Sequence, residues 1–98
     1  MSQFKNIDAT GSTTTLVATS LSMLNGIDAF GDCLSIAIHD CATTGDVAAG
    51  NRVWFSKAQF PQGYIQQFSG VLFKKGMVVV ATGTDPVNSE YQINIEWE

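Results

Sequence analysis

The sequence has few charged residues: Asp, Glu, Lys and Arg together make up 14% of its 98 residues, against about 25% in an average soluble domain. The five basic residues include one adjacent pair, Lys74 and Lys75, and the net charge is −4. Binding to a nucleic-acid backbone or to an anionic membrane requires clustered cations. We therefore expect neither nucleic acid nor a membrane among the partners.

The sequence also lacks long apolar runs. No segment approaches the roughly 18 consecutive apolar residues of a membrane span. The segment from Met1 to Ser12 has neither the basic nor the apolar region of a secretory signal peptide. We expect the chain to remain in the cytoplasm where it is made, or to leave by a route other than secretion.

Cysteine and histidine are scarce, with only Cys33, Cys41 and His39 present. On one extended segment the two cysteines stand about 26 Å apart, whereas a disulfide tolerates at most about 7 Å between Cα atoms. A zinc site would need a fourth ligand and a closely spaced cysteine pair. The prediction is two free, buried thiols beside an exposed or interface histidine, with no metal and no cofactor.

Motifs of catalysis are missing too. The chain contains no nucleotide-binding glycine motif and no nucleophile elbow, and no group is placed to orient a Cys–His pair. Most aspartates stand beside turn glycines or prolines, where Asp forms local backbone hydrogen bonds. We predict a protein that is not an enzyme, with turn-forming aspartates at Asp28, Asp32, Asp40, Asp46 and Asp85.

What the sequence does have is strand periodicity. Tyr91 to Trp97 alternates apolar and polar residues strictly. Cys33 to Asp40 places Leu34, Ile36 and Ile38 on one face, and Met77 to Thr82 is apolar on both faces. The first pattern is typical of a half-buried strand and the last of a central one. Further strands are predicted at Thr13 to Thr19, Arg52 to Lys57 and Tyr64 to Phe73.

Turn signals separate these runs every 8 to 12 residues or so, and no stretch has helical period. This spacing predicts an all-β fold, an antiparallel, jelly-roll-like β-sandwich of about seven to eight strands. We expect a single domain over residues 1–98, with two flexible parts: a short N-terminal arm, Ser2 to Asp8, and the loop from Cys41 to Asn51. The predicted core comprises Leu34, Ile36, Ile38, Val53, Phe55, Val71, Phe73, Val79, Ile93 and Ile95.

The aromatic residues supply candidates for a binding surface. Trp54 and Phe55 are adjacent and therefore face opposite sides of a strand; with Phe55 inward, Trp54 points outward. An outward tryptophan near other aromatics could stack on a sugar or be buried in a protein interface, and interface cores are rich in aromatic residues. The candidate interface residues are Trp54, Tyr64, Phe60 and Phe30.

Three segments resemble small structural proteins of tailed bacteriophages: Leu34 to Asp40, Gly70 to Gly83 and the final alternating strand, Tyr91 to Trp97. The resemblance implies a β-sandwich component of the virion that decorates the capsid or forms part of a collar, fibre or tail. It supplies no catalytic residue. Cys33, Cys41 and His39 have no counterpart in that pattern.

From this resemblance we expect a capsid decoration protein, located in the virion, that stabilises the particle. Its partners would be copies of itself, with a trimer favoured, and the major capsid protein or another virion protein. The alternative is a carbohydrate-binding or adhesin-type β-sandwich module that binds a host surface. A charge-poor surface suits permanent packing in symmetric contacts.

Overall fold

The computed structural model describes residues 2–57, 60–85 and 87–98, with residues 57 and 60–64 described by their backbone alone. Two 3-10 turns, Thr44–Asp46 and Ala49–Asn51, lie between the fourth and fifth strands, and no helix in the described part is long and apolar enough to cross a membrane. The eight strands are β1 (Gln3–Thr10), β2 (Ser12–Ala18), β3 (Ser22–Gly31), β4 (Cys33–His39), β5 (Arg52–Lys57), β6 (Phe60–Phe73), β7 (Met77–Gly83) and β8 (Glu90–Trp97).

The strands form two four-stranded antiparallel sheets. The first sheet has the order β1-β8-β3-β6 and the second has the order β2-β7-β4-β5. Apart from β4 and β5, each pair of consecutive strands lies in opposite sheets. This is the strand order of a jelly roll, and it confirms the predicted antiparallel sandwich of the jelly-roll type.

Single residues make two of the crossings between the sheets. Gly11 separates β1 from β2, and Asp32 separates β3 from β4. Gly11 has a φ of 73° and Gly31, just before the second crossing, a φ of 102°, a region that costs glycine little. A Cβ on Gly31 would lie 2.7 Å from the carbonyl oxygen of Glu90. Gly31 therefore cannot take a side chain without a clash, and the backbone at Gly11 favours glycine.

The core lies between the two sheets. Six of the predicted core residues are buried there: Ile36, Ile38, Phe73, Val79, Ile93 and Ile95. Val71 is partly buried against them, and Leu34 is half-buried. A register shift between Cys33 and Ser35 breaks the alternation of β4 at its start. Cys33 therefore takes the core position that the sequence pattern assigns to Leu34.

Val53 and Phe55 are corrections to the predicted core. Both are exposed, at 42% and 43%. In the regular part of the pairing between β5 and β4, Trp54 lies opposite Ile38 on the core side and Phe55 lies opposite Ala37. Successive side chains of a strand point to opposite faces, and Phe55 therefore points to solvent.

The segment expected to be an N-terminal arm, Ser2 to Asp8, forms most of β1 instead. It pairs with β8 from Gln3 opposite Trp97 to Thr10 opposite Glu90. Ile7 is buried in the core, which gives the strand an apolar inner face. The segment is therefore part of the sandwich.

Tyr91 joins the two sheets at the end where the corners lie. Its hydroxyl donates to the carbonyl oxygen of Gly11 at 2.7 Å and lies 3.2 Å from the Thr13 hydroxyl, which then donates to it. Burial raises the pKa of the Tyr91 phenol, opposed by the Thr13 hydrogen bond. The ring thus anchors β8 of the first sheet to β2 of the second.

We expect Tyr91→Phe to lower the free energy of unfolding by about 1–2 kcal/mol, because the buried Gly11 carbonyl loses its shortest hydrogen bond. Urea denaturation measures this change. Thr14→Val, which removes an exposed hydroxyl from β2, serves as the control and should change stability by less than about 0.5 kcal/mol. Equal stability of wild type and Tyr91→Phe would contradict this role.

Candidate functional site

The two neighbouring aromatics on β5 face the opposite way from the prediction. Trp54 packs against the core, with its ring edge-on to Phe68 at 5.8 Å between centroids. Phe55 points outward, and the Arg52 guanidinium lies 4.4 Å from its ring centroid. Phe55, which the sequence placed in the core, is therefore the outward aromatic of this strand.

Of the remaining candidate interface residues, Phe30 does not join Trp54. Phe30 is 40% exposed and lies on the outer face of the first sheet, opposite Gln92. The side chains of Phe60 and Tyr64 lie outside the described residues. Trp54 and Phe30 thus belong to different sheets and form no common surface.

An apolar strip runs across the outer face of the second sheet. Phe55 stands opposite Ala37, which stands opposite Val80, and Val53 lies at the sheet edge. Ala37 is buried and Val80 half-buried. These four residues are called the Phe55 strip.

The loop from Cys41 to Asn51, which was expected to be flexible, lies beside this strip and is held by hydrogen bonds. His39 is buried, and its Nδ1 lies 3.0 Å from the Ala48 carbonyl oxygen and 2.8 Å from Oδ1 of Asn51. Both partners accept, so Nδ1 carries the proton. The Asn51 amide donates in turn to the Asp46 carbonyl at 2.8 Å. His39, expected at the surface or in an interface, is a structural residue that holds this loop.

Both cysteines are free and buried, as predicted. Burial raises the pKa of Cys33 to about 11 and, together with the charge of Asp46, raises the pKa of Cys41. The thiolate is the form that attacks or ligates, so both side chains are inert thiols at neutral pH. Among the described residues no three His, Cys, Asp or Glu side chains are grouped to hold a metal ion.

Two aspartates fulfil their predicted roles in turns. The Asp40 carboxylate accepts the N–H groups of Lys75 at 2.8 Å and Lys74 at 3.1 Å, in the turn between β6 and β7. The Asp85 carboxylate accepts the N–H of Val87 at 2.9 Å. Asp28 departs from the prediction: it lies within β3, on the outer face of the first sheet.

That outer face contains two neighbouring hollows. One has a volume of about 270 Å³ and is bordered by Phe4, Gly26, Asp28, Gln67, Asn94 and Glu96. The other measures about 320 Å³, with Asp8, Phe30, Glu90 and Gln92 among the residues on its border. The two hollows lie one after the other along β3 and β8, since the first borders the pair Asp28–Asn94 and the second the next outward pair, Phe30–Gln92. Together they are called the outer-face groove.

The groove combines acidic and amide side chains. Its lining contains the carboxylates of Asp8, Asp28, Glu90 and Glu96 and no lysine or arginine among the described residues. Sequence reasoning missed this site because the polar positions of β8 were taken only as a wet face. The signal that could have revealed it is the run of amides and carboxylates at Gln92, Asn94 and Glu96.

No family model matches the chain, and no curated protein matches it in sequence. Solved structures match it in fold. A chain of the Bacillus endospore appendages, described as a family of disulfide-linked pili, is 10% identical with a TM-score of 0.50, over 99% of this chain and 85% of that one. PirA is 14% identical with a TM-score of 0.45, over 99% of this chain and 93% of that one.

The Tobacco streak virus coat protein is 10% identical with a TM-score of 0.40, over 96% of this chain and 85% of that one. At such identities the likeness to the endospore appendage chain concerns the fold alone. It agrees with the two-sheet architecture described above.

The contacts of Asp40 predict a pH dependence of stability. Partial burial acts to raise the pKa of Asp40, but the N–H groups of the turn and the charge of Lys75 outweigh it and lower the pKa below its ordinary value. A lowered folded pKa stabilises the protein above the unfolded pKa of about 3.9, and that stabilisation is lost as the pH falls through the folded value.

We therefore expect Asp40→Asn to lower the free energy of unfolding by about 0.5–1.5 kcal/mol at neutral pH. The difference in free energy of unfolding between wild type and Asp40→Asn should become smaller below about pH 5. Urea denaturation at a series of pH values measures this difference. Lys75→Gln, which keeps the backbone donor, should have a smaller effect. A difference in stability that does not change with pH would contradict this role of the Asp40 carboxylate.

Proposed function

We propose that this protein is a non-enzymatic structural component of a virion, a capsid decoration protein that acts through protein–protein contacts. The observation that carries the proposal is the Phe55 strip, a half-exposed apolar surface on the outside of a jelly roll. Jelly rolls recur in viral capsid proteins. The phage-like segments around Leu34, Gly70 and Tyr91 point the same way.

The Phe55 strip has the composition of an interface core. Phe55 and Val53 are each more than two-fifths exposed, and Arg52 covers part of the Phe55 ring. Aromatic residues and arginine are enriched at the centres of interfaces, whereas other charged residues are depleted there. One buried aromatic anchor can account for about 2 kcal/mol or more of binding.

The partners that fit this surface are other copies of the chain and a capsid protein. Closed symmetric oligomers are the rule among proteins that associate with themselves. A trimer is favoured because it matches a local three-fold axis of a capsid. The proposed location is accordingly the virion.

We expect the purified protein to sediment as a multiple of 10.5 kDa and Phe55→Ser to shift it toward the monomer, because the apolar contact is lost. Sedimentation equilibrium measures the mass, and circular dichroism checks that the variant folds. The control is Ile65→Ser, which changes a residue 71% exposed on the other sheet. A monomeric wild type, or equal dissociation of both variants, would overturn self-association through this strip.

Attachment to capsids should resist salt. Exposed ion pairs contribute only about 0–1 kcal/mol each, and the Phe55 strip is apolar. We expect the protein to co-sediment with purified capsids in about 1 M NaCl and Phe55→Ser to reduce its occupancy. Release of the protein by salt, with Phe55→Ser bound as well as wild type, would show that charges dominate the attachment.

A further inference from the structure

Gly26, which has no side chain, lies at the floor of the first hollow of the outer-face groove. Gly26 lies on β3 between Glu96 of β8 and Gln67 of β6, and its φ is not positive. An added Cβ would meet its nearest atoms at 3.4–3.5 Å, which is ordinary contact. The pairing of β3 with both β6 and β8 shifts in register between Leu24 and Gly26, and Gly26 is buried beside the side chains of Gln67 and Glu96. A glycine inside a strand often marks a bulge of this kind or a place where a ligand approaches closely.

The polar groups around this floor are available to a ligand. Among Asp28, Gln92, Asn94 and Glu96, Asn94 forms a hydrogen bond with a described side chain. Its Oδ1 accepts from Nδ2 of Asn6 at 2.6 Å. The carboxylates of Asp28 and Glu96 and the amide of Gln92 make no hydrogen bond with another described side chain. The groove thus offers both acceptors and amide donors.

A phenylalanine ring stands at each hollow. Phe4, at the first, is 74% exposed, and Phe30, at the second, is 40% exposed. Exposed rings of this kind supply apolar contact area with few rotatable bonds. Phe4 lies opposite Glu96 and Phe30 opposite Gln92, so the rings are four residues, about 14 Å, apart along β8. The polar pair Asp28–Asn94 lies between them.

We propose that the outer-face groove binds an oligosaccharide of neutral or amino sugars. A sugar ring has an apolar face for Phe4 or Phe30 and hydroxyl groups around its edge. Each hydroxyl both donates and accepts hydrogen bonds, as the carboxylates and amides of the groove require. The hollows lie near the lower end of small-ligand pockets, about 300–1,000 Å³.

The charge of the groove sets the class of sugar. Asp8, Asp28, Glu90 and Glu96 repel sialylated, sulfated or phosphorylated glycans, since no described cation lines the groove. A lysine-rich protein segment is the competing occupant. Lysine and arginine side chains only donate, so such a segment would leave the amide donors of Asn94 and Gln92 without side-chain acceptors.

The test is a glycan array of neutral, amino and anionic oligosaccharides probed with the full chain, followed by calorimetric titration of the strongest binder. We expect saturable binding confined to neutral and amino glycans. The backbone amide signals of Gly26, Asp28 and Asn94 should shift in ¹⁵N-resolved NMR spectra. Phe30→Ala and Asp28→Ala should each weaken binding by about tenfold, and Gly26→Ala should weaken it by filling the floor.

The control is Leu21→Ala, which truncates an apolar residue that is 67% exposed and borders neither hollow, and it should leave glycan affinity unchanged. Absence of glycan binding, binding of anionic glycans only, or capture of a lysine-rich peptide in place of any glycan would each overturn the proposal. Equal loss of affinity in Phe30→Ala and Leu21→Ala would overturn it as well. Self-association is tested separately by sedimentation of Phe55→Ser, so either proposal can fail without the other.

Discussion

Strand register decides which side chains this protein can present to a partner. In a two-sheet sandwich each strand has one face in the core, and a shift of one residue exchanges its faces. The register in which β5 pairs with β4 puts Trp54 opposite Ile38, inside, and Phe55 opposite Ala37, outside. The apolar strip on the second sheet, and with it the proposed assembly surface, therefore depends on that register.

The outer faces of the two sheets differ in what covers them. The loop held by His39 and Asn51 covers part of the second sheet. Val78, whose side chain points to the outer face of this sheet, is therefore fully buried. No comparable loop covers the described surface around Gly26 on the first sheet, where hollows remain. One face is thus suited to contact with protein and the other to contact with a small polar ligand, so that both roles can coexist in one domain.

The sequence predicts this fold to the extent that its patterns are local. The strict alternation in Tyr91 to Trp97 identified β8 and its core residues, and turn residues at regular intervals indicated a sandwich. The orientation of β5 was not accessible, since its register is set only by its pairing with β4. The burial of His39 was equally hidden, because it depends on Asn51, twelve residues away. Asn94, which borders the groove, bonds to Asn6, 88 residues away in sequence, and no local sequence pattern predicts such a contact.

The position of β8 has a consequence for how the chain acquires its structure during translation. This strand is made after the other seven, yet it lies between β1 and β3 in the first sheet. Until it leaves the ribosome, β1 has no neighbour in its sheet and one edge of β3 is open. Unpaired strand edges invite contacts with other chains. Both edges therefore stay open to contacts with other chains until β8 is made and pairs with them.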